Sequence, residues 1–204
     1  GLRIADRGEL EEYCYYAAGT VGNLVTNLLV RGDVSEERRR RLYDTAEEFG
    51  LLLQLVNVAK DVYVDYTEEN NVYLPAEWLA AEGVPQEEVV ADTHQSGAAA
   101  VVRRVATHAH SFVDDAQTYL ELLPRTEGNT LAAWAIPFLL AVGTLRELLA
   151  RPEDALSPHG VKVSREEVFA VVSTMTGTDR RDQLEELRQV VADRPYHRAA
   201  GAAD

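Results

Sequence analysis

Gln54, Asn57, Asp61 and Asp65 are spaced so that, on a helix advancing about 100° per residue, all four fall within an arc of about 80°. They form one polar line. Leu51 and Val58 flank it, and Leu52, Leu53, Leu55, Val56 and Ala59 occupy the other directions, so the segment has no broad face for water. Such a helix suits burial beside a wet cavity, although an amphipathic helix turning its polar line to bulk water has the same period. Asp61 and Asp65 stand one turn apart, close enough to share a hard cation. Magnesium takes few carboxylates and completes its shell with water and substrate phosphates, so this pair suits half of a diphosphate site better than a closed cage. An isolated DxxxD in an acidic protein is more often a solvated pair.

An earlier segment repeats the arrangement. Tyr13, Tyr16, Thr20, Asn23 and Asn27 fall within a second arc of about 80°, beside the small residues Ala17, Ala18, Gly19 and Gly22. A glycine inside a helix costs about 1 kcal/mol relative to alanine, so Gly19 and Gly22 imply close packing of a neighbouring backbone or a nearby ligand.

These lines need helices to carry them, and the periodicity predicts an all-α chain. A first helix is expected from Glu9 to Val30, stopping at Arg31-Gly32-Asp33, and a second from Ser35, as its cap, to about Val64. Short helices follow over Ala76 to Ala81 and Pro85 to Ala91, then a long one from Ser96 to Leu123. Asn129 can cap an apolar helix reaching Leu149, with two closing helices near Arg165 to Met175 and Asp179 to Ala192. The tail 199–204 is expected to be flexible. His108 and His110 point about 200° apart and read as surface or packing residues, Arg38 to Arg41 as a solvated face. Trp134, Phe138 and Cys14 read as core.

Composition narrows the function classes. The chain has 204 residues, 46% of them hydrophobic, enough for one domain with a real core. A net charge of −14 repels phosphate backbones and argues against nucleic acid as a partner. The only lysines are Lys60 and Lys162 among 20 basic residues, a balance that fits a high-salt cytoplasm, where the Debye length is about 3 Å or less. A single cysteine rules out an internal disulfide and a Cys-based zinc site. No signal peptide is visible, and the apolar stretch Leu131 to Leu145 is short of a membrane span and contains Pro137, so a cytoplasmic protein is expected. The start at Gly1-Leu2-Arg3, without methionine, is what a fragment or processed chain would show. Nothing in the sequence specifies an oligomeric state.

Taken in order, YCYYAAGTVG (Tyr13 to Gly22), LQLVNVAKDVYVD (Leu53 to Asp65) and Tyr73-Leu74-Pro75 resemble the squalene/phytoene synthase family. The likeness continues at Ala135-Ile136-Pro137 and Gly160-Val161-Lys162-Val163, which look more like the squalene branch, and makes residues 1–198 the C-terminal portion of such a domain. The resemblance implies an isoprenoid synthase-type helical bundle around a central cavity, incomplete at the N-terminus. It implies head-to-head joining of two prenyl diphosphates through a cyclopropyl intermediate, to squalene from farnesyl diphosphate with NADPH, or to phytoene from geranylgeranyl diphosphate without net reduction. It further implies Mg2+ at Asp61 and Asp65, catalytic roles for Tyr13, Gln54 and Asn57, and substrate contacts from Tyr16, Gly19, Lys60, Tyr73 and Pro137. NADPH contacts fall to Asn57, Lys60 and Lys162. Peripheral contact with a membrane would serve product release.

Several residues depart from the family pattern. Its first aspartate-rich motif belongs ahead of the tyrosine motif, so these residues alone are expected to be inactive. Val64 replaces a common glutamate, Asn70-Asn71 replaces a Gly-Arg pair, and Ser164 replaces a basic residue. These departures leave open a non-catalytic prenyl-binding paralogue or a helical interaction domain.

Overall fold

Asp6 starts the first helix, its Oδ1 accepting the Glu9 backbone N–H at 3.0 Å, and Glu9 reaches back to the Ala5 N–H at 2.6 Å. The chain that follows is a bundle of helices, a computed structural model describing residues 1–30, 34–125, 130–177 and 180–200. Helix α1 spans Arg7–Cys14, a π turn spans Tyr15–Gly19, and α2 spans Thr20–Leu29. The expected single helix is therefore three pieces. The stop at residues 31–33 lies outside the described residues.

Ser35 accepts the Arg38 N–H at 3.3 Å and opens α3, Glu36–Lys60, whose 25 residues extend about 37 Å. It is the central rod, packed against the π turn, α2 and three helices named below. Between Leu51 and Ala59 it buries Leu51, Leu52, Leu55, Val56, Val58 and Ala59, so little besides the polar line is left over. Expected to run to Val64, α3 instead ends at Lys60. Asp61 leaves helical geometry (φ −101°, ψ 12°), and α4, Val62–Glu69, restarts beyond it. Asn70 then takes a left-handed conformation, φ 58°, tolerable for asparagine, and ends α4.

Helix α5, Ala76–Ala81, has the expected bounds, whereas Pro85 to Ala91 contains only a 3-10 turn at Gln86–Glu88. The expected long helix divides into α6, Gln95–His110, and α7, Val113–Leu122. At the joint, Ser111 Oγ donates to the His108 carbonyl at 2.7 Å, occupying an acceptor the helix would otherwise use. Arg38 is not on a solvated face: its guanidinium donates to the Leu122 and Leu123 carbonyls, each at 2.8 Å, satisfying the end of α7.

Helix α8, Thr130–Ala150, carries Pro137 inside it; the expected cap Asn129 is outside the described residues. By length and composition this helix could cross a membrane, more than its apolar stretch suggests, yet 61% of its most apolar window is buried in the bundle. Helices α9, Arg165–Gly177, α10, Leu184–Asp193, and α11, Tyr196–Ala200, close the chain. Helix α11 takes in Ala199 and Ala200 of the expected tail; residues 201–204 and Asp179, the expected start of the last long helix, are outside the described residues. Among the described residues there is no strand, only an isolated parallel bridge between Arg3 and Val72.

Candidate active site

Two glycines set how closely the rods that carry the polar lines approach. A Cβ on Gly22 would lie 2.2 Å from the Ala46 carbonyl oxygen, and one on Gly50 would lie 2.6 Å from that of Ala18. Helix α2 and the π turn thus meet α3 backbone to backbone. The π turn adds a residue to the local helical period, so Tyr13 and the rest of its predicted line separate. Tyr13 is part-buried, while Tyr16 is 67% exposed and Thr20 and Asn27 are also exposed. The first polar line is not continuous.

Tyr13 and the second line do meet. Gln54 Nε2 lies 3.5 Å from the Tyr13 hydroxyl, and the Tyr13 ring stacks on Tyr73 with centroids 4.7 Å apart. Burial first, then Tyr73, pushes the Tyr13 phenol well above its ordinary pKa, so the group keeps its proton and can donate it. Asn71, which the sequence reading treated only as a departure, supports this pair. Its Nδ2 lies 3.3 Å from the Tyr73 hydroxyl and 3.0 Å from Glu69 Oε2, while its Oδ1 accepts the Leu2 N–H at 2.7 Å. A register anchored by both Asn71 and the Arg3–Val72 bridge had no signal in periodicity.

Asp61 and Asp65 flank the restart of the helix. The Asp61 N–H still bonds the Asn57 carbonyl at 3.0 Å, and the Asp65 N–H bonds the Asp61 carbonyl at 2.9 Å, so the break leaves the two carboxylates on consecutive turns. Burial, then the charges of Asp61 and Glu69, raise the Asp65 carboxyl to about 6, against the pull of Lys60. Lys60 Nζ contacts the Asp61 carboxylate. No cluster of three or more His, Cys, Asp or Glu residues suited to a metal occurs among the described residues. The donor set fits magnesium as an open site of two carboxylates with the remaining positions left to water and diphosphate, not a protein-only cage.

An apolar cavity of about 190 Å³ adjoins this group on α3, lined by Ala17, Ala18, Val21, Phe49, Tyr119 and Trp134 among others, and by Leu53, the residue before Gln54. Phe49 packs against Tyr119 and Trp134 at 5.2 and 6.3 Å, and the Tyr119 hydroxyl is satisfied by Thr26 at 2.9 Å. The cavity is therefore an aromatic-floored apolar trough, reaching α3 at Leu53, next to the Gln54 that meets Tyr13.

The remaining predicted residues differ in exposure. Asn57 is exposed, and Lys162 is exposed on the segment before α9. Gly19 is buried, where a Cβ would meet the Tyr15 ring at 3.0 Å and Glu47 Cγ at 3.4 Å. Pro137 does not line the cavity; Trp134, one turn earlier on α8, does. Cys14 is buried, and burial pushes its thiol up to about 12, consistent with a core residue.

The squalene/phytoene synthase family profile matches residues 2–167. The bifunctional lycopene cyclase/phytoene synthase of Podospora anserina is 32% identical over 149 residues, 71% of this chain and 25% of that protein. The 15-cis-phytoene synthase of Enterobacter agglomerans is 34% identical over 124 residues, 61% of this chain and 38% of that protein. Among solved structures, a complex of TcSQS with the ligand BPH1237 superposes with a TM-score of 0.75 at 21% identity, over 99% of this chain and 63% of the other. A dehydrosqualene synthase in complex with ligand gives 0.65 at 26% identity, over 86% of this chain and 58% of the other. The chain thus spans about a quarter to two fifths of the length of these curated relatives. With the profile covering most of its length, this chain belongs to the squalene/phytoene synthase family.

Proposed function

We propose that this chain supplies one wall of a head-to-head prenyl synthase of the phytoene type, joining two geranylgeranyl diphosphates without net reduction. The observation that carries the reading is the meeting of Tyr13, Gln54 and Tyr73 within electrostatic reach of Asp65, with an apolar trough lined by Leu53 next to Gln54. The phytoene branch is favoured by the curated relatives above 30% identity, which are named phytoene synthases.

In this reading the trough takes part of a prenyl tail and keeps water from a developing carbocation. Asp61 and Asp65 would hold magnesium, which would supply charge to neutralise a diphosphate leaving group. Lys60, already beside Asp61, turns its ammonium toward the same phosphates. Tyr13, kept protonated by burial, holds a proton within reach of a leaving oxygen and presents its ring to positive charge. The family's first aspartate-rich motif would face this wall from another helix, so turnover belongs to a chain that carries both.

The squalene reading, from farnesyl diphosphate with NADPH, is favoured by the Gly160-Val161-Lys162-Val163 likeness and by the exposure of Lys162, which leaves its ammonium accessible. Product analysis separates the two. A protein carrying this chain and both aspartate-rich motifs is incubated with Mg2+ and each prenyl diphosphate, with and without NADPH. Phytoene from geranylgeranyl diphosphate, independent of NADPH, is expected; squalene formed only with NADPH favours the second reading, and no diphosphate release from either substrate overturns both.

A further inference from the structure

One face of α6 presents Ala100, Arg103, Arg104, Thr107 and His108, spaced three and four apart, to an opening of about 430 Å³ that Ser111, just past the helix end, also borders. Arg7, at the start of α1, and Trp78, on α5, complete its walls. None of these residues belongs to the group around Tyr13 and Asp61. Three guanidiniums thus converge from two helices on one concavity, in a chain whose net charge is −14.

The local pairing leaves much of that positive charge unmatched. Glu11 meets Arg7 at 2.8 Å and His108 at 2.9 Å, and it is the carboxylate these walls engage. Arg103 gives one N–H to the Leu149 carbonyl at 2.5 Å, a neutral acceptor. Arg104 stacks over the Trp78 ring, 4.0 Å from its centroid, and makes no hydrogen bond or ion pair among the described residues. A stacked guanidinium is held in orientation while its N–H edges remain directed outward, the arrangement that suits bidentate recognition of an oxyanion. A carboxylate has two acceptor oxygens to offer; a terminal phosphate has three, nearer to what donors arriving from Arg7, Arg103 and Arg104 can use.

We propose that this groove binds a phosphomonoester group, carried by a soluble phosphorylated molecule or by a lipid headgroup. Arg104 and Arg103 hold the phosphate, Arg7 closes the other side, and Trp78 fixes the Arg104 plane. The groove is separate from the diphosphate chemistry proposed for Asp61 and Asp65, and its occupancy needs no divalent cation.

The test is an NMR titration of the intact chain in EDTA, which keeps divalent cations from Asp61 and Asp65. The chain has two tryptophans, so the Trp78 indole N–H reports on the groove and the Trp134 indole, in the apolar trough, serves as the internal control. Inorganic phosphate or glycerol 3-phosphate at low ionic strength is expected to shift Trp78 saturably and leave Trp134 in place. Arg104→Gln and Arg103→Gln should each weaken binding by about tenfold, the loss of a charge-assisted hydrogen bond. Trp78 unmoved by phosphate, a shift reproduced by chloride at equal ionic strength, or an affinity in both arginine variants unchanged from the unsubstituted chain would overturn the site. Vesicles of phosphatidylcholine with and without phosphatidic acid identify the source. Phosphatidic acid-dependent binding that inorganic phosphate displaces assigns the lipid headgroup, and phosphate binding without vesicle binding assigns the soluble ligand. Vesicle binding that survives the paired Arg103→Gln and Arg104→Gln change counts against the groove.

Discussion

At the C-terminal end of the bundle, Arg146 donates to both carboxylate oxygens of Glu167, at 3.0 and 2.9 Å, with side-chain exposures of 12% and 2%. Glu167 Oε1 also accepts the Tyr196 N–H at 3.1 Å, and Glu147 takes the other edge of the guanidinium at 2.9 Å. One buried ion pair therefore ties α8, α9 and α11 together, with its oxygens and N–H groups largely satisfied. Around Tyr13 the balance is opposite. The helices break at a π turn and at Asp61, Asp65 is held above its usual pKa by burial and by its acidic neighbours, and Tyr16, Val21, Leu24 and Leu28 leave apolar surface exposed on the π turn and α2. The closed end holds the fold, and the open end keeps polar groups and apolar surface available for a ligand or another segment.

The contrast is broken most severely at the closed end. Glu167→Ala leaves Arg146 buried without its partner and is expected to cost about 3–5 kcal/mol, seen as a large fall in midpoint in thermal or denaturant unfolding. Chains of that variant that remain folded should retain the Tyr13–Tyr73 stack, since no residue of the pair touches it.

A smaller effect is expected where α3 meets the π turn. Gly50→Ala drives a methyl against the Ala18 carbonyl, a backbone group that cannot turn aside, and should cost about 1–3 kcal/mol. The same change should part Gln54 from Tyr13, because both depend on that approach. Gly177→Ala, at the end of α9 with nothing within 4 Å of the added carbon, is the matched control and should leave the melting midpoint nearly unchanged. Equal losses for the two variants would show that the close approach is not what orders the open end.

The Asp61–Asp65 pair sharpens the comparison through pH. The Asp65 carboxyl is raised to about 6 from an ordinary value of 3.8, so the fold favours its protonated form. Its contribution to stability is full below 3.8 and is lost as pH rises through about 6. A divalent cation competes with that proton. Magnesium is therefore expected to raise the melting midpoint above pH 6 and to lose most of that effect toward pH 5, where an ordinary carboxylate would still be ionised. Asp65→Asn should flatten both trends; a magnesium effect unchanged in Asp65→Asn would remove this residue from the metal site.

The same division explains how much of the protein was legible beforehand. Helices whose ends are set by local chemistry came through: Ser35 caps α3, and Ala76–Ala81 has its expected bounds. The resemblance carried by the tyrosine and aspartate motifs identified the family. What was missed lies in departures from a uniform helical period. Projecting Tyr13 to Asn27 at 100° per residue assumes an unbroken α-helix, and one π turn cancels the alignment of Tyr13 with Thr20 and Asn27. The breaks at Asp61 and Ser111 come from residues acceptable within a helix, so composition gave no warning. Long-range partners were invisible as well: Arg38 among four arginines reads as surface until the end of α7 lies against it.

The smallest expected effect concerns Asn71, at the edge of the tyrosine stack. Asn71→Ala removes the partner of the Leu2 N–H and the donor to the Tyr73 hydroxyl, on a part-exposed side chain whose groups water can partly replace. The cost to folding should be only about 0.5–1.5 kcal/mol. Its consequence for the open end should be out of proportion to that figure. Once Asn71 is gone, Tyr73 keeps its stack and its hydroxyl contact with Tyr13 but loses the anchor on its other side, so near-ultraviolet circular dichroism from the tyrosine pair should weaken while the helical far-ultraviolet signal stays. Asn71→Asp keeps an acceptor for Leu2 but sets a carboxylate oxygen against Glu69 where the amide donated, so it should preserve the N-terminal bridge and still weaken the tyrosine signal. If both variants leave that signal intact, the stack positions itself and Asn71 serves only to dock the first residues of the chain.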